Sequence, residues 1–229
     1  MIKERHSRNI PALSEADMGK LAESHVLVAG CGGIGGNVIE QLARLGIGAI
    51  TVVDGDSFDE SNLNRQILCT TDNLGCSKAM AAADRIKQID PSIHVTAVCE
   101  PLTADNAAGL MKGADLIIDA LDSPGSRLML EDAASEAGVW LVHGAISGWD
   151  LQAMIIPPGS GLLHSLYAEV PESDVITSLP MTPAAAAAIE VSLAAGYLCG
   201  HEIPDGGCLF AGSLKELRFE SIDLSSGDE

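Results

Sequence analysis

Apolar residues along the chain fall into short unbroken runs, separated by stretches in which they recur every three or four positions. The runs HVLVAG (25–30), AITVVD (49–54), IHVTAVC (93–99), DLIIDAL (115–121) and VWLVHGAI (139–146) predict strands, of which HVLVAG and DLIIDAL read as buried. Between them, 33–45 carries Ile34, Val38, Leu42 and Leu45 on one helical face. Residues 77–89 repeat that period and end before the Pro-Ser pair at 91–92. TADNAAGLMKGA (103–114) predicts a short helix, and PGSRLMLEDAASEAG (124–138) a longer one with Pro124 near its start. Ser14, followed by acids, predicts the N-cap of a short helix, and residues 1–13 read as an extended or loosely coiled arm.

Strands alternating with helices pair in parallel, so the expected fold is α/β, a doubly wound, mostly parallel Rossmann-like sheet with helices on both faces. It accounts for about 25–146. Beyond it, DLQAMIIPPG (150–159) predicts a strand, 159–181 is irregular, TPAAAAAIEVSLAAGYLCG (182–200) predicts an apolar helix, and GSLKELRFESI (212–222) a last strand. These add antiparallel strands on the C-terminal side. Without repeats or a linker, 1–229 reads as a single domain, in which 1–24 is an arm plus helix and 220–229 an acidic tail expected to be mobile.

Composition narrows the function classes. At 47% hydrophobic and 3% aromatic residues, the chain favours an α/β protein over a β-sandwich. Glu190, Pro183 and the alanine content make 182–200 a core helix rather than a membrane span, and the start lacks the apolar core of a secretory signal. A soluble cytoplasmic protein is expected. The net charge of −19 comes from 32 acids against 13 Lys and Arg, which disfavours nucleic acid and anionic membrane as partners. With so few bases, the positions of Arg5, Arg8, Arg65 and Lys78 become informative. The six cysteines form no CxxC pair, so free and mostly buried thiols are expected.

Gly30, Gly32 and Gly35 satisfy G-x-G-x-x-G between a strand and a helix, where a tight turn and exposed amides hold phosphate. Asp54 closes the second strand, where an acid takes ribose hydroxyls; the plainer reading is a turn residue beside Gly55. NAD fits this far. The next stretch, DGDSFDESNLNRQ, does not suit NAD: its acids are followed by Asn62, Asn64, Arg65 and Gln66, with Lys78 at the start of the next helix. An Arg and a Lys at one phosphate site point to a triphosphate polarised for displacement, which hydride transfer does not require.

The series GCGGIGG, VVDGD, SNLNRQ, GCSKA and DALDS, preceded by RHSRN, resembles the adenylating ThiF/MoeB/HesA family, relatives of the ubiquitin-activating enzymes, over about residues 5–156. The resemblance implies ATP- and magnesium-dependent adenylation of the C-terminal glycine of a small ubiquitin-like sulfur carrier ending in Gly-Gly. The pathways it implies are sulfur transfer for thiamine-like or molybdopterin-like cofactors, or for cysteine. By motif, Gly30, Gly32, Gly33 and Gly35 would line the nucleotide and Asp54 hold the ribose. Asn62, Arg65 and Lys78, with Gln66 beside them, would surround the phosphates, and Asp122 would bind magnesium. Arg8, with Arg5, resembles the arginine finger that reaches a partner subunit's ATP, which implies a homodimer.

Three readings stay open beside these. Arg5 reads equally as an exposed terminal residue, Asp122 as the cap of the following helix, and Asp119 as the acid that matters. Many family members hold zinc between two CxxC pairs, but Leu162 and Ser165 stand where the first is expected, so no zinc is expected. Residues 160–185 also lack the loop cysteine used for sulfur or thioester chemistry. Cys69 and Cys76 flank the phosphate region and read as buried bystanders. The alternative to an active adenylyltransferase is a nucleotide-binding scaffold of the same fold that lost turnover.

Overall fold

The apolar runs become the centre of one eight-stranded sheet in a computed structural model that describes residues 3–171, 177–204 and 206–224. β1 (His25–Ala29), β2 (Ala49–Val53), β3 (His94–Val98), β4 (Leu116–Asp119) and β5 (Leu141–Ser147) run parallel in the order β3-β2-β1-β4-β5. β6 (Asp150–Ile156), β7 (Cys208–Ser213) and β8 (Arg218–Asp223) extend it antiparallel. Strand side chains alternate between faces, so Val26 and Val28 enter one core while Leu27 and Ala29 enter another. The first core is covered by α1 (Glu15–Glu23), α2 (Gly33–Leu45), α3 (Lys78–Ile89) and α7 (Met181–Cys199). The second lies under α4 (Ala104–Met111), α5 (Pro124–Ala137) and α6 (Leu162–Tyr167). This is the doubly wound, mostly parallel α/β sheet with antiparallel strands beyond it that the pattern predicts.

Local chemistry sets the helix ends. Ser14 and Asp17 form a reciprocal capping box at α1, Ser77 caps α3 and Ser123 caps α5 ahead of Pro124. Met181–Cys199 is long and apolar enough to cross a membrane, yet it packs on α2, β5 and β6 as a core helix. At its centre, Glu190 is fully buried with neither carboxyl oxygen hydrogen-bonded, stacked on the spot where a Cβ at Gly144 would sit. Burial, with the Asp119 charge, pushes the Glu190 carboxyl well above the ordinary range. Its stabilising contribution is therefore full below about pH 4.3 and is lost as pH rises through the folded value. Glu190→Met is expected to raise stability at pH 8 by about 1–3 kcal/mol, the desolvation cost of an unpaired buried polar group. The gap to wild type should widen from pH 5 to pH 8 in thermal melts; an equal gap at both would refute the assignment.

Three segments differ from the sequence expectation. Glu4–Asn9 is a 3-10 helix rather than an extended arm, because Lys3 and Arg5 each lie 2.9 Å from the buried Asp90 carboxylate and anchor it. Within the irregular 159–181 stretch, α6 forms because the Glu131 carboxylate accepts from the Leu163 and His164 amides, both at 3.0 Å. The last strand is a hairpin: 208–213 is a strand the pattern missed, and 214–217 is the turn within the stretch read as one strand. Residues 220–223 of the acidic tail belong to β8, while 172–176 and 225–229 lie outside the described residues. The cysteines are free; Cys31, Cys69 and Cys199 are buried as expected, whereas Cys76, read as a buried bystander, is exposed, as is Cys99.

Candidate active site

The glycine loop closes on itself through backbone contact. Gly30 leaves β1 with φ +97° and donates to Val53 O at 2.8 Å, tying the loop to β2. A Cβ at Gly30 would lie 2.6 Å from Ala120 O, and one at Gly35 only 1.9 Å from Gly30 O. Only glycines allow β1, β4 and the start of α2 to approach this closely. The first turn of α2 carries no acid, so its free amides present positive potential to the cavity beside it.

That cavity, about 630 Å3, is lined by Gly30, Gly32, Gly33, Asp54, Arg65, Gln66, Lys78 and Asp122 among others. The Asp54 carboxylate accepts from Cys31 N at 2.7 Å and Asp56 N at 2.8 Å, so it braces the glycine loop and also makes its own turn. Lys78 is buried, with its Nζ 2.9 Å from the exposed Asp56 carboxylate. Arg65 Nη1 donates to Ser61 O and Asn64 Oδ1, at 3.1 and 3.0 Å. Buried Gln66 has its Oε1 without a partner, and its amide nitrogen lies against Gly32. Asp122 is exposed in the loop after β4, and Ser123 rather than Asp122 caps α5.

Not every candidate joins this group. Asn62 is buried and accepts from Asp59 N at 3.1 Å, supporting the loop from outside the cavity. Gly35 contributes through its contact with Gly30 rather than as a wall. Arg5 Nη1 donates to Ile89 O at 3.1 Å and pairs with Asp90, away from this chain's cavity. Burial opposes it, but Ser92 hydrogen bonds and the Lys3 ammonium hold Asp90 well below the usual carboxylate range. Arg8 is exposed and also outside the cavity. Asp119 is not among the residues lining the cavity: it is fully buried and engaged elsewhere.

Asp119 belongs to a network the sequence did not reveal. His143 Nδ1 donates to Asp119 at 2.7 Å, Tyr167 donates to His143 Nε2 at 3.0 Å, and Gln152 donates to the Tyr167 oxygen at 2.5 Å. The proton on Nδ1 is assigned from the carboxylate, which can only accept. Arg127 Nε lies 4.0 Å from Asp119, its Nη2 donates to Leu121 O at 2.9 Å, and its guanidinium sits 5.0 Å above the Tyr167 ring. Arg127, Tyr167, Ile146 and Ser147 form a wall shared with a second cavity of about 540 Å3 over β5, β6 and β7, where Asp150, Gln152, Glu216 and Arg218 also face. The signal for Arg127 was present, as one of 13 bases and in the first turn of a helix.

The donor set fits a nucleoside triphosphate: helix amides, Lys78 and Arg65 for phosphate, and Asp122 as an oxygen ligand for a hard cation. Among the described residues the wall holds no cysteine, and burial with the Asp54 charge pushes the neighbouring Cys31 thiol well above its ordinary value.

A family model described as the ThiF family matches residues 5–227. The chain is 31% identical to the SAMP-activating enzyme E1 of Haloferax volcanii, over 96% of this chain and 84% of the relative. It is 38% identical to the probable adenylyltransferase/sulfurtransferase MoeZ of Mycobacterium tuberculosis, over 76% of this chain but only 46% of that protein. Among solved structures, the Escherichia coli tRNA N6-threonylcarbamoyladenosine dehydratase in complex with AMP superimposes with TM-score 0.75 at 28% identity, covering 87% of this chain and 97% of that one.

Proposed function

The chain belongs to the ThiF family, and on that premise we propose that it transfers AMP from ATP to the C-terminal glycine carboxylate of a small ubiquitin-like sulfur carrier ending in Gly-Gly, releasing pyrophosphate. One observation carries this reading. In a chain with 13 bases, Lys78 and Arg65 both face the glycine-loop cavity, beside a helix N-terminus and an exposed Asp122. A relative named a SAMP-activating enzyme E1 and one named a probable adenylyltransferase/sulfurtransferase support the adenylation.

The chemistry asks for charge neutralisation rather than acid–base catalysis. A glycine carboxylate is already ionised at neutral pH, so it needs no general base to attack the α-phosphorus. Two anions must meet and pyrophosphate must leave, so Lys78 and Arg65 hold phosphate oxygens and the α2 amides add their dipoles. Asp54, braced by two amides, keeps lone pairs for ribose hydroxyls. Asp122 would hold magnesium, which supplies further charge neutralisation when bound. Gly30, Gly32 and Gly33 bring backbone close to phosphate, and Gln66 offers its unpartnered oxygen to the nucleotide. The carrier tail enters through the second cavity, past Tyr167 and Arg127.

Arg8, exposed and outside its own cavity, reaches the ATP of a second copy in this reading, so the active form is a homodimer. With no cysteine in 160–185, the reaction ends at the acyl-adenylate as far as this chain's own loop is concerned. The charge of −19 weighs against an RNA substrate despite the likeness to a tRNA-modifying enzyme.

The test is ATP–pyrophosphate exchange that depends on a Gly-Gly-ended carrier. Arg65→Ala is expected to lower exchange about 10²–10³-fold, the cost of one donor to a developing charge. ATP bound but never consumed with any carrier would instead identify a scaffold.

A further inference from the structure

At the far end of α7 from the nucleotide, three chemically different metal ligands converge. Asp17 of α1, Cys199 at the end of α7 and His201 just beyond it bring their ligand atoms within 4.8 Å of one another. His201 Nε2 lies 3.2 Å from Asp17 Oδ1, and the Cys199 thiol points at Asp17 O, 4.0 Å away. We propose that this cluster is a binding site for a borderline divalent cation of the zinc type, which clamps the N-terminal helix to the end of the core helix.

The backbone builds the convergence. Gly200 takes a left-handed conformation at φ +70°, and its amide and that of His201 donate back to Tyr197 O and Gly196 O. That turn folds His201 back beside Cys199. The Asp17 carboxylate is already oriented, because Ser14 Oγ and Ser14 N donate to its Oδ2 at 2.7 and 3.0 Å, leaving Oδ1 for a metal. Ligand atoms around tetrahedral zinc sit about 3.5 Å apart, so closing this cluster takes shifts of about 1 Å. One Cys, one His and one carboxylate suit zinc and exclude the harder magnesium, and the half-exposed His201 side leaves a fourth position for water.

The charges balance. The Cys199 thiol gives its proton to solvent as the sulfur–metal bond forms, and with the Asp17 carboxylate it offsets both charges of the cation. Lys20 is the nearby competing cation, but its ammonium is spent on Cys199 O at the helix end. This site lies apart from the paired-cysteine position where the sequence led to an expectation of no zinc: Asp17 is 182 residues from Cys199, and no spacing rule joins them.

The 229-residue chain, stripped with a chelator, would be titrated with Zn2+ against a chromophoric competitor and with Co2+ followed by absorbance. One equivalent should bind, with a Co2+–thiolate charge-transfer band in the near ultraviolet. Cys199→Ser should abolish the band. His201→Ala, at an exposed position that leaves the core intact, should weaken Zn2+ binding by more than the roughly 10–100-fold lost with a supporting partner. The proposal is overturned if wild type shows no saturable binding, or if both variants bind as it does, which would put the metal on the exposed Cys76 or Cys99. Neither result bears on nucleotide exchange.

Discussion

Replacing Lys78 by alanine is expected to lower carrier-dependent ATP–pyrophosphate exchange by about 10²–10³-fold while the fold survives. The ammonium sits at the wall of the glycine-loop cavity, with its side chain 10% exposed and paired with Asp56. In water-poor surroundings, a fixed charge facing the transferring phosphate acts at far greater strength than in bulk solvent. Its structural partner is different: Asp56 is 74% exposed, so the carboxylate left behind is solvated and the lost ion pair costs within about 1 kcal/mol. Exchange and melting temperature should therefore separate. Arginine at 78 should not restore full rate, because its planar fork replaces a compact point charge. A Lys78→Ala protein that exchanges at the wild-type rate would remove Lys78 from the chemistry.

Asp119→Ala should do the reverse, failing first in stability. The carboxylate is fully buried between His143 at 2.7 Å and Arg127 at 4.0 Å, and its Oδ1 accepts from Leu121 N at 3.0 Å. Removing it strands an imidazole N–H and weakens the hold on a buried guanidinium, a loss of about 3–5 kcal/mol. For a chain of this size that lowers the melting temperature by roughly 6–20 °C. The Leu121 bond also sets the turn carrying Asp122, so exchange should fall in whatever fraction stays folded. Asp119→Asn keeps the shape without the charge, and should fall between wild type and alanine in thermal melts. A melting temperature within 2 °C of wild type for the alanine variant would refute the network's role.

What the sequence made legible followed from locality. The glycine loop, its strand and its helix are contiguous, so Gly30 to Leu45 could be placed from spacing alone. Lys78 and Arg65 stood out because bases are scarce and both lie near the loop in sequence. The Asp119–His143–Tyr167 network has no such signature. Asp119 and His143 lie side by side only through the β4–β5 register, and α6, which brings in Tyr167, is too short to show a helical period. Arg5 carried a signal of the same kind, a scarce base in a suggestive motif, and within its own chain it pairs with the buried Asp90 carboxylate. Glu190 was visible as a lone acid in an apolar helix, but only packing shows that it has no partner.

Arg127 and Tyr167 stand between the two cavities, and that shared wall has a thermodynamic consequence. Whatever shift one occupant imposes on these two side chains changes the free energy of filling the other space. By linkage the two effects are equal: if nucleotide strengthens the grip on a carrier tail by some factor, the tail strengthens the grip on nucleotide by the same factor. Affinities measured for each ligand alone therefore give two of the four sides of the binding cycle, and once a third side is measured the fourth follows.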